Sequence, residues 1–179
     1  MTNTPLESVM SRFQDSAQSI DGSPLSNPIS QVEAFIIARD WHADRVNEHE
    51  LWAELPDQWG GSRLWVTLHE SGLFLQFNSY MNIKVPPRMV ERIGQTIMLM
   101  NERILLGHFE IWSEESVPLF RVVVPVRDGV LSDSQMQDIM ESILQETERF
   151  YPAFQWMIWG GKSPEEAVAA AIVETAGEA

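Results

Sequence analysis

Two pairs of alternating apolar stretches, one on each side of an amphipathic stretch, restrict the fold of this chain more than any other feature. The first pair covers Arg63 to Glu70 and Leu73 to Tyr80, and the second covers His108 to Ser113 and Val117 to Val126. Apolar residues at every second position are typical of a strand that buries one of its faces. Each pair therefore predicts a β-hairpin, and the apolar sets of the two hairpins need a common cover.

Helical patterns supply that cover. Between the hairpins, apolar residues recur every three or four positions from Val90 to Ile104, which predicts a helix that begins near Pro87 and is capped by Gly107. Another helix is predicted from about Ile29 to Asp40, where Ser30 and Glu33 have the spacing of a capping box.

The last third of the chain is predicted to be helical. Ser132 with Gln135 forms a second capping box, and Tyr151-Pro152 is predicted to break or kink the helix that follows. Ser163-Pro164 then has the residues expected at the start of a final helix. With two short strands from His42 to Leu55, this order predicts an α+β fold. Its antiparallel sheet has two hairpin groups, with helices packed mainly on one face.

Seven Trp residues are the unusual feature of the composition. Trp65 and Trp112 lie on the strand faces opposite the predicted core residues, as Trp52 does on its own strand, and Arg121 is also predicted to point away from the core. Trp favours core edges and interfaces, because it is large and its indole N–H needs a partner. These four residues are the candidate protein-interaction face, and ordinary packing under a loop or the tail is the alternative.

The charge and residue usage exclude several classes of function. Twelve basic and 26 acidic residues give a net charge of −14, which argues against nucleic-acid binding because phosphates require clustered Lys and Arg. The chain has no Cys, so thiol catalysis and zinc–thiolate sites are excluded. The longest apolar run, Ala167 to Val173, is far shorter than the roughly 18–20 residues of a membrane span. Without a recognisable secretory signal, a cytoplasmic protein is expected.

No catalytic, cofactor-binding or metal-binding residue is predicted. The four His residues lack metal-ligand spacing and are expected at the surface or on edge strands. Gly161-Lys162-Ser163 lacks the earlier Gly and the preceding strand of a phosphate loop. Asn101 lies near the apolar stripe of its helix, so its amide is expected to bind backbone groups rather than to act in catalysis.

The chain is predicted to hold a single domain from Pro28 to Ala179, preceded by a flexible tail from Met1 to Asn27. The tail is rich in Ser, Thr, Asn and Pro, although Leu6 to Phe13 contains four apolar residues at helical spacing. A short helix there is an alternative, packed on a neighbouring segment or on a second copy of the chain.

Several longer strings resemble one family. They are M-N-E-R-I-L-L-G-H-F-E-I, V-P-L-F-R-V-V-V-P and F-Y-P-A-F-Q-W-M-I-W-G-G-K-S-P-E-E-A-V, and they resemble the YbjN domain of bacteria from about Pro28 to Ala179. Members of this family are described as regulators of bacterial sensory transduction. Their fold is similar to that of type III secretion chaperones, which commonly form dimers. The resemblance implies a non-enzymatic regulatory or chaperone-like protein, and it offers no catalytic residues.

Three functions remain open at this point. The first is a protein-binding regulatory domain, expected to be a homodimer with a further protein or peptide partner. The second is a structural homodimer component without a separate partner groove. The third is an enzyme whose site is assembled from scattered carboxylates, His residues and Arg121.

Overall fold

The computed structural model describes residues 27–56, 58–59, 62–126 and 130–176. These described residues form four α-helices and six strands, which follow one another in the predicted order, with one turn of 3₁₀-helix at Pro87–Met89. They are α1 (Pro28–Ile37), β1 (Ala43–Asn47), β2 (Glu50–Glu54), β3 (Arg63–Leu68), β4 (Phe74–Tyr80), α2 (Val90–Asn101), β5 (His108–Trp112), β6 (Val117–Pro125), α3 (Asp133–Ile158) and α4 (Pro164–Ala176). The tail predicted from Met1 lies outside the described residues, apart from Asn27.

The six strands form one antiparallel sheet in the order β1-β2-β3-β4-β6-β5. The hairpin of β3 and β4 is joined to that of β5 and β6 through the pairing of β4 with β6, in which Phe77 is opposite Val122. The prediction that both hairpins share one sheet is therefore confirmed, and the fold is α+β.

A single apolar core lies between one face of the sheet and the helices. Sheet residues such as Leu64, Phe77 and Phe120 belong to it, and the helices add Ile36 and Phe154 among others. All of these side chains are fully buried. Because the buried apolar residues of all four helices join this cluster, the prediction of helices on one face is confirmed.

The start of α1 differs from the prediction. Asn27, the last residue of the predicted tail, is the N-cap, and its Oδ1 accepts a hydrogen bond from the Ile29 N–H at 2.8 Å. Ser30 and Glu33 do not form a capping box. Both accept hydrogen bonds from Nη1 of Arg45, at 3.2 and 2.8 Å, and so tie α1 to β1. In contrast, the predicted capping box of Ser132 and Gln135 at the start of α3 is confirmed.

Two helix ends also differ from the prediction. Of the predicted break or kink at Tyr151-Pro152, the break is wrong, because α3 continues through Pro152 to Ile158. Proline inside a helix costs about 3 kcal/mol, but Phe150, Pro152 and Phe154 are all buried here, and their packing offsets the lost hydrogen bond. Helix α2 ends at Asn101 rather than near Ile104.

None of the helices in the described part of the chain combines the length and the apolar character that a membrane span requires.

Candidate functional site

The sheet face opposite the core carries a row of four aromatic side chains, which we call the aromatic face. Trp52 and Trp65 are directly opposite each other on β2 and β3, and their rings stack at 5.6 Å with an angle of 10°. The Tyr80 ring lies 5.8 Å from that of Trp52 and 6.5 Å from that of Trp65. Trp112 continues the row, with its ring 5.3 Å from that of Tyr80. The row thus extends from β2 to the edge strand β5.

The Trp residues of this row are separate from the core. Three other Trp side chains in the described chain, Trp41, Trp59 and Trp156, pack against the core cluster, whereas the three of the aromatic face do not. Trp52 and Trp65 are half-buried, and Trp112 is 36% exposed. The aromatic face is therefore a second apolar surface of the domain, and its Trp residues lie outside the core cluster. Packing of these residues under the tail stays an alternative.

A chain of polar side chains crosses the same face. Oε1 of Glu110 lies 2.6 Å from Nη2 of Arg121, whose Nε donates to Oδ1 of Asn78 at 3.0 Å. Gln76 also donates to that oxygen, at 3.2 Å. Asn78 is fully buried, and its Nδ2 has no hydrogen-bond partner among the described residues. The Arg121 charge is thus neutralised by Glu110, and both side chains are about one-third exposed.

Tyr80 lies beside this polar chain. Burial raises the pKa of its phenol, and the Glu110 carboxylate adds to the rise, while the Arg121 guanidinium opposes it. Leu119, which pairs with both Tyr80 and Glu110 across the sheet, is only 1% exposed although it lies outside the core cluster. Apolar burial on this face therefore extends beneath the rings.

The structure brings together all four predicted interaction residues: Trp52, Trp65, Trp112 and Arg121. Tyr80, Glu110 and Asn78 belong to the same face but were not among the predicted residues. The first two could have been found, because Glu110 alternates with the predicted core residues of β5 and Tyr80 is opposite Arg63 in the hairpin. Asn78 carried no such signal, because three successive residues at that point of β4 are buried.

The other residues singled out in the sequence have structural surroundings. All four His residues are exposed, and the described residues contain no group of three or more His, Asp or Glu that could hold a metal ion. Nζ of Lys162 lies 4.8 Å from the Trp156 ring, and Ser163 caps α4. Asn101 binds the backbone of Phe109 through both ends of its amide, which confirms the predicted contact with backbone groups.

A family model described as "Putative bacterial sensory transduction regulator", YbjN, matches residues 28–156. The chain belongs to the YbjN family. The match starts at the first residue of α1 and ends within α3, so every residue of the aromatic face lies inside the YbjN region. Residues 157–179, part of the predicted resemblance, lie beyond the matched region.

One solved structure is similar to this YbjN-family chain. It is titled "Crystal structure of YbjN, a putative transcription regulator from E. coli", with 13% sequence identity and a TM-score of 0.47. The alignment covers 84% of this chain and 92% of that one. No curated protein matches the chain.

Proposed function

We propose that this chain is a non-enzymatic regulatory protein that acts by binding another protein through its aromatic face. The observation that carries the proposal is the row of Trp52, Trp65, Tyr80 and Trp112 on a sheet face that the core does not use. The family description, a regulator of sensory transduction, agrees with an activity exerted on other macromolecules.

The chemistry of the face suits a protein or peptide ligand. Aromatic rings supply large contact area, and a few such anchors usually provide most of the binding free energy. Arg121 and Glu110 are already paired, so covering them does not bury an isolated charge. A chaperone-like role, in which the face holds an apolar segment of a partner, fits the same features.

The alternative of an enzyme has less support. A catalytic site needs a cleft in which titratable groups with perturbed pKa values converge. On the aromatic face the raised pKa of Tyr80 comes first from burial, and the Arg121 cation is matched by a carboxylate. A net charge of −14 also opposes direct binding to nucleic acid or to an anionic membrane, so the proposed regulation is exerted through protein contacts.

The proposal also includes that the protein forms a homodimer and that it acts in the cytoplasm of a bacterial cell. Self-association has to overcome the strong negative charge, so the contact is expected to use the sheet rather than the acidic helices. If two copies meet through their aromatic faces and no partner groove remains, the protein is the structural homodimer that the sequence left open.

The test is the double variant Trp65→Ala/Trp112→Ala, with Trp159→Ala as the matched control. Trp159 is 68% exposed and is the C-cap residue of α3, so it does not belong to the aromatic face. Light scattering would give the oligomeric state, thermal melts the stability, and mass spectrometry the proteins captured from extracts of the native cell. Loss of one hot-spot residue costs at least about 2 kcal/mol, or roughly 30-fold in affinity.

The results separate the alternatives. Loss of a captured protein by the double variant, but not by Trp159→Ala, would support a partner surface. A shift from dimer to monomer without unfolding would support the homodimer interface. Unchanged capture and unchanged oligomeric state would refute the aromatic face as an interaction surface.

A further inference from the structure

The first residues of the chain contain a sequence suited to the aromatic face. Thr4-Pro5-Leu6-Glu7 has the pattern of a helix start, with a capping Thr, Pro at the first position and Glu at the third. Leu6, Val9, Met10 and Phe13 then follow at helical spacing and would form one apolar stripe. Ser8 and Ser11 fall on the opposite side of such a helix.

The described part of the chain begins close to the sheet. Nδ2 of Asn27 donates to the Glu48 carbonyl at 3.1 Å, so the chain enters α1 beside the turn between β1 and β2. Trp52 is four residues from Glu48, about 13 Å along an extended strand. The twelve residues 15–26 can span at most about 40 Å, which is ample for a segment that passes around the sheet edge.

The dimensions of the two surfaces agree. A helix of ten residues is about 15 Å long. Its apolar stripe from Leu6 to Phe13 covers about 10 Å of that length. The rings of Trp52, Trp65 and Tyr80 form a triangle with sides of 5.6, 5.8 and 6.5 Å, and the Trp112 ring lies 5.3 Å from that of Tyr80, so the ring centres extend over at most about 12 Å. The apolar stripe of such a helix is therefore long enough for its four side chains to cover the four rings.

We propose that residues 5–14 dock as a helix on the aromatic face of their own chain. The tether favours the chain's own segment over that of a second copy, because a short linker gives an effective concentration in the millimolar range. As a consequence that rests on the proposed function, a protein partner has to displace this segment, so the segment sets the affinity of the face.

The absence of Cys allows a direct test on the full chain. A nitroxide spin label on Ser11→Cys would sit on the side of the helix away from its apolar stripe. The NMR signals of the indole N–H groups would be assigned by single Trp→Phe substitutions. We expect the signals of Trp52, Trp65 and Trp112 to be lost, while those of Trp41 and Trp156, on the core side, retain more intensity.

Two further samples complete the test. Phe13→Asp, added to the labelled chain, should restore the three signals, whereas Ser8→Asp, which adds the same charge on the polar side, should not. A mixture of spin-labelled chain with isotope-labelled chain that carries no label reports contacts between copies. Equal signal loss for all five Trp residues, no response to Phe13→Asp, or loss of equal size in the mixture would each overturn the proposal.

Failure of this inference can be distinguished from failure of the proposed function. If the segment does not dock, capture of a partner by the wild-type chain and its loss in Trp65→Ala/Trp112→Ala are unaffected. If the segment docks and Phe13→Asp increases capture of that partner several-fold, both proposals are supported. If it docks but no variant changes capture, the docking stands and the partner surface lies elsewhere.

Discussion

Asn101 joins the end of α2 to the edge strand β5, and its replacement gives a stability effect that can be calculated from two hydrogen bonds. Its Nδ2 donates to the Phe109 carbonyl at 3.1 Å, and its Oδ1 accepts from the Phe109 N–H at 2.8 Å. The side chain of Phe109 is 1% exposed and contacts the rings of Phe120 and Phe154. The amide therefore fixes a strand whose side chains reach the centre of the core.

Asn101→Ala removes both hydrogen bonds. Each contributes about 1 kcal/mol net, so the free energy of unfolding should fall by about 2 kcal/mol. For a domain of this size that corresponds to a decrease in Tm of roughly 4–8 °C. Asn101→Asp keeps the acceptor for the Phe109 N–H but sets a carboxylate against the Phe109 carbonyl. The loss in free energy of unfolding caused by Asn101→Asp should therefore be larger at pH 7 than at a pH where the new carboxyl is protonated and can donate a hydrogen bond.

Urea unfolding followed by circular dichroism would measure these differences, with Gln95→Ala as the control on an exposed position of the same helix. The control should stay within about 0.5 kcal/mol of the wild type. If Asn101→Ala unfolds at the same urea concentration as Gln95→Ala, the amide does not hold β5, and the argument from the two hydrogen bonds is refuted.

Two other substitutions test local features. Gly107 has φ +89°, and a Cβ there would lie 2.7 Å from the Phe120 ring, whereas Gly72 has φ +69° with open space around it. Gly107→Ala should cost about 2–5 kcal/mol in urea unfolding and clearly more than Gly72→Ala, and equal costs would contradict the close approach. Burial raises the pKa of Glu146, so its contribution to stability is greatest below the ordinary Glu pKa and is lost as the pH rises through the folded pKa. Glu146→Gln should therefore raise Tm at pH 7 but not near pH 4, and exposed Glu148→Gln should change neither; a Tm gain that is independent of pH would oppose this reasoning.

The sheet was predictable because alternation along a strand is a local signal. In β3 the buried Leu64 and Val66 alternate with Trp65, so the direction of each side chain followed from its position alone. In β4 the buried residues Phe77, Asn78 and Ser79 are consecutive, and the alternation no longer identifies the face. Only the pairing across strands explains why the polar Asn78 is buried between Trp65 and Arg121.

The wrong local predictions have one physical cause in common. Ser30 and Glu33 had the spacing of a cap, but Arg45, distant in sequence, binds both of them. Pro152 should disrupt a helix by local rules, but burial of its neighbours in the core outweighs that cost. In each case a tertiary contact exceeds a local preference of a few kcal/mol, and no sequence window contains that contact. The ligand of the aromatic face is likewise determined by contacts between residues that are distant in sequence or belong to another chain, so local sequence patterns do not identify it.

The hydrogen bonds of Asn101 also bear on how this sheet can grow. The N–H and C=O of Phe109 point away from β6 and are occupied by the amide, so this residue of the β5 edge offers no free backbone groups to another strand. At the opposite edge, the register of β1 shifts between Arg45 and Asn47, and Nε of Arg45 binds the Asn47 carbonyl at 2.6 Å. Irregularities and occupied backbone groups at edges are means by which native sheets resist edge-to-edge aggregation. Extension of the sheet from one molecule to the next is therefore opposed at both edges, and folded copies can accumulate without polymerising into continuous sheets.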